Sequence, residues 1–169
     1  FGEICDMLNS NQVGIGLAIN PDTELPQWCY KFVELLDQVI IMSVVPGKSG
    51  QKFIESTHEK TRRIAKDLRE HKFEGYIEAD GGVNLENIGA CFEDGARAFV
   101  GGSAIIGQND VRMIIKEFRN QVLESRRRLL IKKAHDLGGT ELVNSWIDLH
   151  VVGEKKDKLV QIAKELGFQ

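Results

Sequence analysis

Gln38–Gln51 (QVIIMSVVPGKSGQ) decides how the rest of the chain is read. Its first eight residues, Gln38–Val45, are almost all apolar and rich in β-branched side chains, which suit a pleated backbone and crowd a helical one. Pro46-Gly47 then ends the run, because Pro lacks an N–H for a ladder and Gly takes reversing conformations easily. An apolar run of this length, bounded by turn residues, fits a strand covered on both faces, as in a parallel sheet. Residues 52–71 are charged, with Ile54, Ile64, Ala65 and Leu68 available for one buried stripe, and predict a helix.

The same order recurs on either side. Val13–Ile19 (VGIGLAI) is a short apolar run ended by Asn20-Pro21-Asp22. Pro26–Leu36 follows as a helix, with Trp28, Phe32 and Leu35 or Leu36 at helical spacing. Gly75–Ala79 (GYIEA) is a third strand, closed by Asp80-Gly81-Gly82 and followed by a helix from Asn84 to about Glu93. Ala96–Val100 is a fourth, leading into Gly101-Gly102-Ser103, a short helix Ser103–Ile106 and a helix Val111–Leu123. Strand, loop and helix thus repeat four times, and crossovers of this length make neighbouring strands parallel. Four βα units are half of a (β/α)8 barrel. A doubly wound open sheet competes, since periodicity does not separate closed from open sheets. The glycine fingerprint of dinucleotide sites is absent: Gly14-Ile15-Gly16 lies inside a strand rather than in a strand-to-helix turn.

Bulk properties exclude several classes. The chain has 169 residues, 42% hydrophobic and 28% charged, a folded composition with enough length for a core. A net charge of −3 gives no electrostatic reason to expect nucleic acid or an anionic membrane as a partner. No apolar run approaches the roughly 20 residues that span a bilayer. Cys5, Cys29 and Cys91 are odd in number and widely spaced, which favours reduced thiols and a cytoplasmic setting over disulfides or a zinc site. The start at Phe1 is read as the beginning of a segment of a longer protein, with processing or trimming giving the same appearance. Residues 124–169 differ from the rest, with Arg126-Arg127-Arg128 and Lys132-Lys133, then Thr140 as an N-cap and two short amphipathic helices around 142–149 and 159–166. The expected organisation is therefore 1–123 as the C-terminal half of a phosphate-binding βα barrel and 124–169 as a helical C-terminal extension, its basic run a solvated face, with a phosphate- or nucleic-acid-binding patch as the alternative.

In a βα barrel the C-terminal strand ends share one face, where sites are built. Here those ends carry Asn20-Pro21-Asp22-Thr23, Pro46-Gly47-Lys48-Ser49-Gly50-Gln51, Asp80-Gly81-Gly82 and Gly101-Gly102-Ser103. Glycines let backbone N–H groups approach a phosphate without interference from Cβ, so three such loops in register point to an anion cradle. Asp80 is a carboxylate at a strand end, able to transfer a proton or hold a metal, though Asp before Gly-Gly is also a turn former. Met42 reads first as core packing. His58, His71, His135 and His150 lie on helices or their ends without ligand spacing, which assigns them surface or capping roles.

As a set, Gly16–Thr23 (GLAINPDT), Ile41–Phe53 (IMSVVPGKSGQKF), Ile77–Asn84 (IEADGGVN) and Gly95–Ile105 (GARAFVGGSAI) resemble the last four βα units of ribulose-phosphate 3-epimerases. The resemblance runs from about Val13 to Val122, with motif order and spacing agreeing. It implies a (β/α)8 TIM barrel, of which this chain carries about the last four units, and an isomerase of the pentose phosphate pathway that inverts C3 between ribulose 5-phosphate and xylulose 5-phosphate. It further implies two aspartates on opposite faces of the substrate and an enediolate stabilised by a divalent metal, zinc or iron, with manganese or cobalt as other candidates. On this resemblance Asp80 matches the second aspartate and metal ligand. Gly47, Lys48, Ser49, Gly50, Gly81, Gly82, Gly102 and Ser103 fall in the phosphate and substrate loops, and Met42 beside the reacting carbons.

Two departures stand out. The family loop usually reads Pro-Gly-Phe-Gly-Gly-Gln, whereas Lys48 here adds a charge and removes an aromatic. Nothing matches the first aspartate and the two metal-binding histidines, which belong to N-terminal strands. The resemblance therefore implies a homo-oligomeric enzyme acting on a phosphorylated ketose, completed by an N-terminal half-barrel in cis or in trans. Allulose 6-phosphate is an alternative substrate. A non-catalytic phosphosugar-binding or assembly module that keeps only the phosphate half is the alternative of a different class. Other phosphate-binding barrels fit the Asp-Gly-Gly-Val-Asn and Val-Val-Pro-Gly sequences less well.

Overall fold

The computed structural model describes residues 2–11 and 13–136. The chain opens with a helix, α1 (Gly2–Ser10), that the sequence reading did not anticipate. Four strands follow: β1 (Gly16–Ile19), β2 (Gln38–Met42), β3 (Tyr76–Asp80) and β4 (Ala98–Val100). A 3-10 helix (Gln27–Leu35) joins β1 to β2, α2 (Ser56–Glu70) joins β2 to β3, and α3 (Ile88–Asp94) joins β3 to β4. After β4 come α4 (Gly102–Ile106) and α5 (Val111–Asp136).

All strands are parallel and lie in the order β1-β2-β3-β4. A doubly wound sheet reverses its strand order at a switch point. Sequential order means that each crossover steps the same way, as in a singly wound barrel wall. The fold is a four-unit part of a (β/α)8 barrel.

Burial alternates along the strands. Val39 and Ile41 on β2 and Ile77 and Ala79 on β3 are buried, in register with Leu17, Ile19 and Phe99, and join Ile64, Ala65 and Leu68 of α2 in one core. The opposite face carries Ala18, Ile40, Met42, Glu78, Asp80 and Val100, none of them buried. Neither face-to-face coverage nor a second neighbour for β1 and β4 is supplied by the described residues. In a closed barrel this second face is the interior.

Several sequence expectations need correction. The segment 26–36 is a 3-10 helix, whose tighter winding buries Cys29 and Val33, with Leu36 following, and leaves Trp28 and Leu35 exposed. β1, β2 and β4 are shorter than their apolar runs, β2 because Ser43 and Val44 already turn toward the loop, whereas β3 keeps the expected length and takes in Asp80. Ile54 lies before α2, not on it, and is only partly buried. The helix expected to stop at Leu123 runs on to Asp136 and carries the basic run with it. By compactness the chain divides into 1–123 and 124–169. The helices expected around 142–149 and 159–166, the Thr140 cap and His150 lie outside the described residues. No helix among those described is long and apolar enough to cross a membrane. Cys29 and Cys91 are free and buried, and burial pushes the Cys91 thiol up to about 12.

Candidate active site

Asp80 is the last residue of β3, flanked in register by Met42 on β2 and Val100 on β4. Strand alternation puts its side chain on the uncovered face, two residues beyond Glu78. Glu78 accepts a hydrogen bond from Gln38 Nε2 at 2.6 Å. Burial, then the Asp80 carboxylate, raise the Glu78 pKa, and the Gln38 bond opposes them. The interior face therefore holds two carboxylates in one column, with Asp80 at the mouth. Nothing in the sequence singles out Glu78 or Gln38 beyond their place in the alternation.

The glycines divide by cause. Gly81 has φ 111° and a Cβ there would lie 2.3 Å from Val44 Cγ2. Gly82 has φ 66° and a Cβ would lie 2.5 Å from the backbone nitrogen of Phe53. The fold itself demands glycine at both. Gly47 and Gly50 also have positive φ, in the exposed loop after β2, which Gln51 clasps by donating to Val45 O at 2.6 Å and Lys48 O at 2.8 Å. Gly102 has neither positive φ nor any neighbour within 4 Å of an added Cβ. Its open space is what a ligand approaching the backbone would use.

Gly82, Ser103 and Ala104 line one cleft of about 690 Å³, together with Gln51, Phe53, His58 and Asn87. Lys48, Ser49, Gly47 and Gly50 do not line it; they stay on the exposed loop. Met42 and Asp80 are brought together by strand register. Among the described residues no group of three or more His, Cys, Asp or Glu side chains could hold a metal ion. Asp80 is one carboxylate, so these residues do not by themselves fit a metal centre.

The histidines fall out unequally. His71 is the C-cap of α2 and its ring meets Asp67 O at 2.8 Å, as a capping role requires. His58 is instead partly buried: Nδ1 is bound by the Asp94 carboxylate, which also accepts from Arg62 Nη1 at 2.8 Å, and the ring packs on Phe53. Asp94 has a side chain only 3% exposed, an ion pair that ties α2 to α3. Lys60, also buried, donates to Asn20 O and, at 3.3 Å, to Pro21 O, holding the turn after β1.

A parallel, singly wound βα sheet with a carboxylate and glycine loops at its C-terminal strand ends defines the chain as part of a βα-barrel scaffold. Comparison with known proteins narrows this. Residues 3–106 match the model of the ribulose-phosphate 3 epimerase family. The chain is 39% identical over 116 residues to the ribulose-phosphate 3-epimerase of Escherichia coli (strain K12), covering 69% of this chain and 51% of that protein. It is 41% identical over 97 residues to the Serratia marcescens protein of the same name, 57% of this chain and 46% of the other. With the Methanocaldococcus jannaschii ribulose-phosphate 3-epimerase it shares 34% over 118 residues, 70% of this chain and 50% of the other. The chain belongs to the ribulose-phosphate 3-epimerase family, and it spans about half the length of the curated relatives it matches.

Proposed function

We propose that the protein containing this chain is an epimerase that inverts C3 of a phosphorylated ketose, ribulose 5-phosphate in the first instance. The observation that carries the reading is Asp80 itself, at the C-terminal end of β3, on the uncovered face, beside Met42. A carboxylate there can accept the C3 proton as the C3–H bond breaks, leaving the electron pair in an enediolate that runs through C2 and its oxygen. Inversion then requires a proton delivered from the opposite face, which one carboxylate cannot supply. That second group, and the ligands of any divalent metal beyond Asp80, belong to the four βα units that this chain lacks relative to its matches, supplied in cis or in trans.

The substrate phosphate lies, on this reading, over the loops after β3 and β4, against Gly82, Gly102 and Ser103. The open space at Gly102 and the cleft shared by Gly82 and Ser103 support it. Lys48 sits on the exposed loop after β2 and adds a positive charge at this end of the sheet. Free, buried Cys29 and Cys91 suit a reducing compartment, in keeping with a cytoplasmic enzyme.

The test is C3 inversion of ribulose 5-phosphate by the chain joined to, or mixed with, the complementary four βα units of a family member. Accumulation of xylulose 5-phosphate is expected. A folded, complete barrel that leaves ribulose 5-phosphate unchanged would contradict the assignment.

A further inference from the structure

We infer that Ser43 is a positioning residue for the anion cradle: its buried hydroxyl fixes the Gly81 carbonyl and thereby aims the Gly82 N–H at the ligand. The inference rests on the phosphate site proposed above. Ser43 follows the last residue of β2 and is 1% exposed. Its hydroxyl lies 2.7 Å from Gly81 O and 3.0 Å from Asp80 O, and its own N–H donates to Asp80 O at 2.7 Å. Ser43 thus ties the end of β2, beyond the last ladder pair Met42↔Asp80, to the turn that carries the site.

A trans peptide is planar, with its C=O and N–H pointing opposite ways. Holding Gly81 O inward on a buried hydroxyl therefore turns the Gly82 N–H outward, on the side where Gly82 lines the cleft with Ser103. The constraint is needed because glycine lacks the steric preferences that would otherwise fix this peptide: Gly81 has φ 111° and Gly82 φ 66°. The next carbonyl is held too, since Asn87 Nδ2 donates to Gly82 O at 3.1 Å. Both ends of Gly82 are braced by side chains outside the loop, so its amide is preorganised before any ligand arrives.

The test is an NMR titration of the ¹⁵N-labelled chain with inorganic phosphate, for wild type, Ser43→Ala and Ser43→Thr, with thermal midpoints on the same samples. In the wild type, phosphate should shift the amides of Gly82, Gly102 and Ser103. In Ser43→Ala the dissociation constant should rise by about tenfold, the scale of one charge-assisted hydrogen bond, with the Gly82 response lost and those of Gly102 and Ser103 kept. Ser43→Thr, which keeps the hydroxyl, should restore the Gly82 response. A folded Ser43→Ala chain with wild-type phosphate affinity and Gly82 shift would overturn the inference. So would a wild-type titration that moves Gly102 and Ser103 but not Gly82, a result that needs no variant to fold. Phosphate that moves none of the three amides would instead refute the phosphate site itself.

Discussion

Gly82 and Gly102 look alike in sequence and differ in what they do. At Gly82 a methyl group would strike the Phe53 backbone from a positive φ, so Gly82→Ala should cost about 1–3 kcal/mol of stability, read as a lower denaturation midpoint. At Gly102 nothing would be struck, so Gly102→Ala should leave the midpoint nearly unchanged while weakening phosphate binding by about tenfold. Equal destabilisation by both changes would remove the distinction. The sequence marked both positions as loop glycines and could go no further, because the difference lies in neighbours 20 or more residues away. The position of Asp80 at the C-terminal end of a strand was legible from the Gly-Gly that follows it. Ser43 was not: a serine closing an apolar run carries no sign that its hydroxyl meets a turn on another strand. His58 failed for the same reason, its partner Asp94 being 36 residues distant.

Elements were predicted in the right order and with imperfect ends. All four strands and their crossovers follow from apolar runs punctuated by Pro, Gly, Asn and Asp, signals local enough to read without contacts. The 3-10 winding of 27–35 was not legible, since Trp28, Phe32 and Leu36 satisfy an α-helical spacing equally well. Tertiary packing buries Cys29 and Val33 along with Leu36 and leaves Trp28 exposed. The connection between α2 and the turn after β1 rests on Lys60, whose ammonium is buried against two carbonyls. Burial lowers its pKa from the ordinary 10.5, with Glu24 and Asp22 opposing. The folded state therefore holds fewer protons than the unfolded state between the lowered value and 10.5, and stability attributable to Lys60 rises with pH across that window. The thermal midpoint of wild type minus that of Lys60→Met should accordingly rise as pH is raised toward 10.5. A wild-type-minus-variant difference that stays constant or falls would show that Lys60 is not desolvated as described. Between α2 and α3, Asp94→Ala should cost about 1–3 kcal/mol by leaving His58 and Arg62 without their shared acceptor, measured by denaturant unfolding.

At the scale of the whole molecule, one sheet face is packed by the chain's own helices and the other bears Asp80, Glu78 and several half-exposed apolar side chains. That asymmetry is the physical counterpart of matching only about half of each relative's length. Continuous apolar runs predicted strands covered on both sides, and the barrel interior is where the second cover comes from. It follows that the 169-residue chain by itself should show little or no epimerisation, because one carboxylate serves one face of C3. Central to the account is the assignment of proton transfer to Asp80, and the most direct measurement is deuterium wash-in at C3 of ribulose 5-phosphate in D2O. In a complete barrel containing this chain, Asp80→Asn should fold with a near-normal midpoint and exchange at least about 10²–10⁴ more slowly than the unaltered protein. An Asp80→Asn barrel that is destabilised yet exchanges C3 at the unaltered rate would make Asp80 a turn residue and contradict the account.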